Sequence, residues 1–158
     1  MAYTLPEIDD AFFTDAPLVI PATVELDATP ARVWEALGSD DMWSWAPIID
    51  QLTWLTPRPH ATGAVRRVRL LKVNTLEEEF YRWEPERRVT FRVTRQTRRM
   101  LDGLAEDFLI DPLDGGTRTR LTWTMAVAPR GLPGFAAGRG AALAKGNALA
   151  IGGIKTIL

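Results

Sequence analysis

Residues 88 to 97 read RVTFRVTRQT, and this stretch decides the fold class. Val89, Phe91 and Val93 fall on one face of an extended chain, whereas threonines and Arg92 fall on the other. Strict alternation of this kind is typical of a strand with one face buried and the other in water. We therefore predict a strand of an antiparallel sheet here.

The same signal continues on both sides of this stretch. Downstream, Asp114-Gly115-Gly116 is a hairpin signal, and it separates two further alternating segments. The predicted strands are 19–26, 48–55, 62–73, 75–83, 88–97, 104–110 and 117–127. Short turns join most of them, which implies a single antiparallel sheet of seven strands.

Helical patterns flank the strands. Thr29 is a good N-cap before Pro30, and Gly38 ends the helix that they begin. A second short helix is predicted from Ser39 or Asp40 to Pro47, carrying Met42, Trp43 and Trp45. Residues 134–158 are rich in alanine and predict a long C-terminal helix, although each interior glycine costs about 1 kcal/mol relative to alanine.

These elements together predict an α+β architecture. The seven-stranded curved antiparallel sheet should wrap around the long C-terminal helix, with two short helices between strands 1 and 2. We expect an N-terminal arm over residues 1–18 and one ligand-binding domain over residues 19–158.

Composition narrows the possible functions. The chain has 158 residues, 46% of them hydrophobic, and the near balance of 19 basic against 20 acidic residues argues against a nucleic-acid partner. The absence of cysteine and the single histidine exclude thiolate chemistry and multi-histidine metal sites. There is no signal-peptide pattern and no long apolar run, so we expect a cytoplasmic protein without stable membrane insertion. We also expect no cofactor.

Four segments of the chain carry a family resemblance. They are DATPARVWEAL at 27–37, WAP at 45–47, YRWEPERRVTFRV at 81–93 and GGTRTRLTWTMAVAP at 115–129. In this order they resemble the START-like or Bet v 1-like (SRPBCC) superfamily, in particular its polyketide cyclase/dehydrase and lipid transport branch. The resemblance implies a helix-grip fold, whose sheet and long helix enclose a deep cavity. Members of the superfamily bind lipids, sterols or polyketides there, and some catalyse cyclisation and dehydration.

The expected cavity lining combines inward strand positions, two tryptophans before the second strand and one face of the C-terminal helix. These candidate ligand-binding residues are Trp43, Trp45, Phe80, Phe91, Val93, Phe108, Ile110, Leu121, Trp123, Met125, Phe135, Ala142 and Gly146. The alternative is that most of them simply form the core.

The register of LEEEFYRW, residues 76–83, decides which polar groups face inward. If Phe80 points inward, Glu78 and Arg82 share its face; if Tyr81 does, Glu77 and Glu79 accompany it, and a one-residue bulge reverses the answer. The family resemblance favours Glu78. Glu106 presents the same parity problem beside Asp107 on the sixth predicted strand.

Candidate catalytic residues are Glu78, Tyr81 and Arg139, which could supply an acid–base group and an oxyanion donor. Arg139 could pair with Glu78 or orient a ligand oxygen. The other arginines of the predicted strands are expected on a solvated outer face or, alternatively, in a basic groove; they are Arg66, Arg67, Arg69, Arg87, Arg88, Arg92, Arg95, Arg98 and Arg99. His60, in a loop, is expected to be exposed.

Three functions remain open from the sequence. The first is a binding protein for a hydrophobic small molecule, as a monomer or homodimer. The second is a cyclase, aromatase or dehydratase that uses the same cavity, and two inward ionisable groups within hydrogen-bond reach would favour it. The third is a ligand-sensing regulatory domain, for which an exposed apolar patch would be the cue.

Overall fold

The structure of the protein is a computed structural model that describes residues 2–131 and 140–158, with side chains of the second segment described from residue 144. Its strands are β1 (Tyr3–Thr4), β2 (Leu18–Leu26), β3 (Ile49–Trp54), β4 (Val65–Leu70), β5 (Asn74–Glu84), β6 (Arg88–Gln96), β7 (Leu101–Leu113) and β8 (Arg118–Pro129). Its helices are α1 (Phe12–Asp15), α2 (Pro30–Leu37) and α3 (Gly140–Gly152), and short 3-10 turns cover Asp114–Gly116 and Gly153–Thr156.

Seven strands form one curved antiparallel sheet in the order β2-β8-β7-β6-β5-β4-β3, with α3 against its inner face. This confirms the predicted seven-stranded sheet and the C-terminal helix. The two-residue strand β1 comes from the N-terminal arm and adds to β6 where β7 leaves it. Pairing of β6 with β7 ends at Arg92 and Ala105, so the free edge at Arg95 and Gln96 accepts Thr4 and Tyr3.

The helix α2 forms as predicted. The Thr29 side chain accepts a hydrogen bond from the backbone N–H of Arg32 at 3.3 Å, and Pro30 occupies the first turn. Val33 and Leu37 are buried against the sheet, and Gly38 ends the helix. The predicted second short helix is not formed, because residues 39–45 make consecutive turns.

The turns arise at Trp43, whose φ of 71° lies in the left-handed region that a right-handed helix does not use. The ring of Trp43 is 5% exposed and packs 5.1 Å from the ring of Trp123, centroid to centroid. Burial of this large ring offsets the local backbone cost. A helical pattern is therefore overridden by a tertiary contact.

A bulge at Tyr81 settles the register of β5. Phe80 pairs with Phe91, whereas Arg82 pairs with Thr90, so Tyr81 is the extra residue on its strand. Glu78 and Phe80, which precede the bulge, face inward, and beyond the bulge Trp83 does so in place of Arg82. No helix in residues 2–131 and 140–158 is long and apolar enough to span a bilayer.

Candidate ligand cavity

A cavity of about 290 Å³ lies between the inner face of the sheet and α3. Its volume is at the lower end of the range of roughly 300–1,000 Å³ typical of small-molecule sites. Most of its wall is apolar, and three polar side chains reach it. The lining residues are Trp43, Ala46, Ile48, Ile49, Val68, Leu70, Leu76, Glu78, Leu104, Glu106, Trp123, Met125, Asn147 and Ala150.

One lining residue, Glu78, belongs to a buried ion pair. Arg66 and Glu78 are direct cross-strand neighbours on β4 and β5, and the Arg66 Nε and Nη2 atoms lie 2.7 and 2.5 Å from Glu78 Oε2. The guanidinium carbon is 5.0 Å from the ring centres of Phe80 and Phe91 and 5.5 Å from that of Trp54. Three rings and one carboxylate thus replace the water that this cation loses.

Burial of Glu78 raises the pKa of its carboxyl, and the charge and hydrogen bonds of Arg66 act in the opposite direction. Arg66 is only 2% exposed. The expectation that this arginine lies on a solvated outer face is therefore wrong. It shares the inward face of Val68, two residues along β4, and the hairpin brings it opposite Glu78.

Glu106 is the second carboxyl in the cavity wall. The indole Nε1–H of Trp123 donates a hydrogen bond to Glu106 Oε2 at 2.9 Å. Burial raises the pKa of Glu106 to about 8, and the nearby charge of Glu78 adds to this shift; Arg66 and the Trp123 hydrogen bond oppose it. At neutral pH Glu106 is therefore mainly protonated and offers an O–H donor inside an apolar cavity.

The alternation of β7 separates Glu106 from Asp107. Glu106 shares the inward face with Leu104 and Phe108, whereas Asp107 accepts hydrogen bonds from Thr90 Oγ1 at 2.6 Å and Arg88 Nε at 2.9 Å on the other side of the sheet. This resolves the parity that the sequence leaves open.

Among residues 2–131 and 140–158, no group of three histidines or carboxylates is placed to hold a metal ion.

Asn147 supplies the third polar group, and it comes from α3 rather than from the sheet. Its amide Nδ2 is buried and has no hydrogen-bond partner within the described residues. The helix is fixed at this point by Trp45, whose Nε1–H donates to the Ala150 carbonyl at 2.7 Å. Asn147 and the Glu106 carboxyl thus line the same cavity from opposite walls.

Four predicted site residues line the cavity together: Glu78, Trp43, Trp123 and Met125. Phe80 and Phe91 lie beside it as the rings that hold Arg66. Three others, Phe108, Ile110 and Leu121, belong to the main core, as the alternative interpretation expected. Val93 lies in a separate small cluster with Leu5 of the N-terminal arm.

Three further predicted site residues, Tyr81, Gly146 and Trp45, also lie outside the cavity lining. Tyr81 is on the outer face, where its hydroxyl donates to Asp10 at 3.0 Å, because strand alternation places it on the face opposite to Phe80 and Glu78. Gly146 is exposed on α3, since that helix turns Asn147 and Ala150 toward the cavity. Trp45 packs against the end of α3.

The three remaining predicted site residues cannot be placed relative to the cavity. Phe135 and Arg139 lie outside the described residues, as does the side chain of Ala142. The sequence singled out neither Arg66 nor Asn147 for the cavity. One signal in the sequence could have pointed to Arg66. It precedes the β4–β5 turn by as many residues as Glu78 follows it, so the two residues pair across the hairpin.

Solved structures with the same fold include proteins of several kinds. The chain superimposes on the Zhui aromatase/cyclase from Streptomyces sp. R1128 with a TM-score of 0.68 and 19% identity, covering 87% of this chain and 90% of that one. It superimposes on a Thermus thermophilus protein with a TM-score of 0.68 and 14% identity, covering 87% and 94%. It superimposes on Ara h 8.0201 with a TM-score of 0.63 and 10% identity, covering 88% of this chain and 95% of that one. These likenesses show the fold.

Sequence comparison identifies the family. Uncharacterized proteins of Mycobacterium tuberculosis and Mycobacterium bovis are 35% identical over 125 residues, which cover 78% of this chain and 74% of theirs. The model of the polyketide cyclase/dehydrase and lipid transport family matches residues 18–152, the greater part of the chain. The sheet, the C-terminal helix and the cavity between them agree with that match, and the chain belongs to this family.

Proposed function

We propose that this protein binds a compact, largely apolar molecule that carries a hydrogen-bonding oxygen, in the cavity between sheet and α3. The observation that carries the proposal is the buried Glu106 carboxyl, which lines a largely apolar cavity wall and whose pKa burial raises to about 8. A buried donor without a ligand is costly to maintain, so its presence argues for an acceptor that occupies the cavity.

The chemistry of the wall limits the class of ligand. Arg66 and Glu78 compensate each other at 2.5–2.7 Å, so neither leaves a full charge for the ligand. What the cavity offers is one O–H donor from Glu106 and one amide from Asn147. A ketone, ester or hydroxyl oxygen on an apolar skeleton fits these groups better than an anion or a cation does.

Ligand identification comes first in the test. The protein as purified is analysed by native mass spectrometry and organic extraction, and any retained class of molecule is then titrated calorimetrically. We expect Glu106→Gln to bind within a few-fold of wild type, because the amide is neutral and can still accept from Trp123. Glu106→Leu should bind at least tenfold more weakly, since one good hydrogen bond is worth about 1.4 kcal/mol.

The matched control is Glu79→Gln, on the outer face beside Arg92. It should leave affinity unchanged. Full affinity in Glu106→Leu, or equal loss in the control, contradicts a binding role for the buried carboxyl. An empty protein that ignores ketones, sterols, fatty acids and polyketide mimics contradicts the binding proposal itself.

A second candidate function is acid–base catalysis on the same ligand, as in a cyclase, aromatase or dehydratase. It is favoured by two carboxyls in different environments beside one cavity: Glu106, whose pKa is raised to about 8, and Glu78, which is paired with Arg66. General acid–base chemistry needs such a difference between two groups. In this case Glu106→Gln should bind the substrate and fail to turn it over. Retained turnover in that variant excludes Glu106 as the acid.

A further inference from the structure

A second feature lies at the end of the sheet where the β4–β5 turn and the β6–β7 loop meet. Four large apolar side chains there are 49–60% exposed: Ile48, Leu71, Val73 and Met100. Isolated exposed apolar residues are normal on a protein surface, so their arrangement decides whether they matter.

Hydrogen bonds hold the segments that carry them side by side. The Leu71 N–H donates to the Ile48 carbonyl at 2.9 Å, which joins the β4–β5 turn to the start of β3. The Asn74 side chain is 3% exposed, and its Oδ1 accepts from the Arg98 N–H at 2.8 Å and from Thr97 Oγ1 at 3.2 Å. The turn and the β6–β7 loop are therefore neighbours.

The turn presents its apolar residue at a conformational cost. The Val73 N–H donates to the Leu70 carbonyl at 3.0 Å, and the two central residues, Leu71 and Lys72, have φ values of 49° and 59°. Such a turn strongly favours asparagine and glycine at these positions. A leucine there is neither buried nor suited to the backbone, and strain of this kind is concentrated at functional surfaces.

Positive charge surrounds the apolar residues. Three exposed cations lie on the same two loops: Lys72, Arg98 and Arg99. None of them forms an ion pair with an acidic residue in the described parts of the chain. The nearby carboxylates are engaged elsewhere, Asp50 by Arg69 at 2.8 Å and Asp102 by Arg130 at 2.6 Å. This cationic rim stands on a chain whose net charge is −1.

The cavity reaches the same end of the molecule. Ile48 is 49% exposed and also lines the cavity wall, and Leu70, the residue before the turn, lines it as well. An apolar molecule at this surface would therefore be next to the cavity.

We propose that this surface, made of Ile48, Leu71, Val73 and Met100 with the cations Lys72, Arg98 and Arg99, docks reversibly on an anionic phospholipid bilayer. Apolar tips ringed by lysine and arginine match the headgroup region of such a bilayer, where the tips enter the acyl boundary and the cations meet phosphate groups. The docking would bring the cavity wall at Ile48 and Leu70 next to the bilayer, which is a source of apolar ligands.

The test is vesicle flotation of the whole protein with phosphatidylglycerol/phosphatidylcholine vesicles and with phosphatidylcholine vesicles. We expect binding to the anionic vesicles only, weakened by added salt. Each of Lys72→Gln, Arg98→Gln and Arg99→Gln should lower it about fivefold. Leu71→Asn with Val73→Thr should lower it about tenfold while keeping the free energy of unfolding, because asparagine suits the left-handed backbone that leucine does not.

Matched controls come from the opposite end of the sheet. Leu55 is 45% exposed after β3, and Arg87 lies in the β5–β6 turn, so Leu55→Asn and Arg87→Gln alter similar side chains away from the proposed surface. Three results overturn the proposal. The protein binds neutral vesicles as well as anionic ones, it binds neither kind, or the control variants weaken binding as much as the surface variants do. Self-association in sedimentation that Leu71→Asn abolishes also overturns it, because a second copy would then be the partner. None of these outcomes depends on whether the cavity binds a ligand.

Discussion

Replacement of Arg66 by methionine is the sharpest test of how the cavity wall is built. Methionine keeps an apolar side chain between the rings of Phe80 and Phe91 but removes the cation that contacts Glu78 Oε2 at 2.5–2.7 Å. Glu78 is 5% exposed, so its charge is left without a partner and with little water. Breaking a buried pair on one side costs about 3–5 kcal/mol.

This loss has a measurable size in the melting temperature. For a domain of about this length, 1 kcal/mol corresponds to roughly 2–4 °C, so Arg66→Met should lower Tm by about 6–20 °C. Urea unfolding followed by circular dichroism gives the free energy directly. The loss should be larger at pH 8 than at pH 5.5, because at the lower pH the unpaired Glu78 takes up a proton and is no longer a buried charge.

The neighbouring pair of β4 and β5 is the control. Arg67 Nη2 lies 2.6 Å from Glu77 Oε1 with the same cross-strand register, but the arginine side chain is 49% exposed. Arg67→Met should therefore cost about 0–1 kcal/mol. The double variant Arg66→Met with Glu78→Leu should recover most of the single variant's loss, because an apolar pair of similar volume replaces an ion pair with little cost.

Two results would refute this reasoning. One is a loss in Arg66→Met no greater than that in Arg67→Met, which would mean that water reaches the pair. The other is a double variant as unstable as the sum of its two singles, which would mean that packing rather than charge compensation holds the two strands together at this point.

Two further predictions concern the buried Glu106 carboxyl and the packing of the C-terminal helical segment. Between pH 4.5, the ordinary pKa of a glutamate carboxyl, and about 8, native Glu106 keeps a proton that the unfolded chain releases. As the pH rises through this window, the free energy of unfolding should therefore fall by about 1.4 kcal/mol per pH unit from that group alone. Glu106→Gln should remove this slope when urea unfolding is measured at several pH values. If wild type and Glu106→Gln show the same pH dependence, Glu106 is not a buried acid. A Cβ at Gly153 would overlap the Trp45 ring, so Gly153→Ala should lower the free energy of unfolding by about 1–3 kcal/mol. At Gly146 nothing lies within 4 Å of such a Cβ, so Gly146→Ala should raise it by about 1 kcal/mol. Thermal unfolding measures both changes. A neutral Gly153→Ala would mean that Trp45 does not hold α3.

The strands could be predicted because their signal is local. The alternation of Val89, Phe91 and Val93 depends only on which face of one strand is buried, and the same holds for Leu121 and Trp123. The cap at Thr29 is equally local, since donor and acceptor lie three residues apart. These features appear in the structure where the sequence predicts them.

The parts that could not be predicted depend on contacts between distant segments. The bulge at Tyr81 is set by how β5 pairs with β6, and no residue of LEEEFYRW specifies it. Trp43 leaves a helical pattern because its ring packs against Trp123, which is far away along the chain. Arg66 is charged and would ordinarily be expected in water. Its ion pair with Glu78, the cross-strand neighbour on β5, reduces the free-energy cost of burying it.

The three ionisable groups of the wall influence one another, so their roles cannot be assigned one at a time. Burial raises the pKa of Glu78 and Arg66 opposes that rise, while negative charge on Glu78 helps to raise the pKa of Glu106 to about 8. Removal of the Glu78 charge would leave Arg66 unopposed as well, and both changes favour ionisation of Glu106. An apolar wall would be simpler and at least as stable. Packing alone does not require an ion pair and a buried acid beside one cavity, and the proposed binding of a ligand oxygen would give the acid a partner.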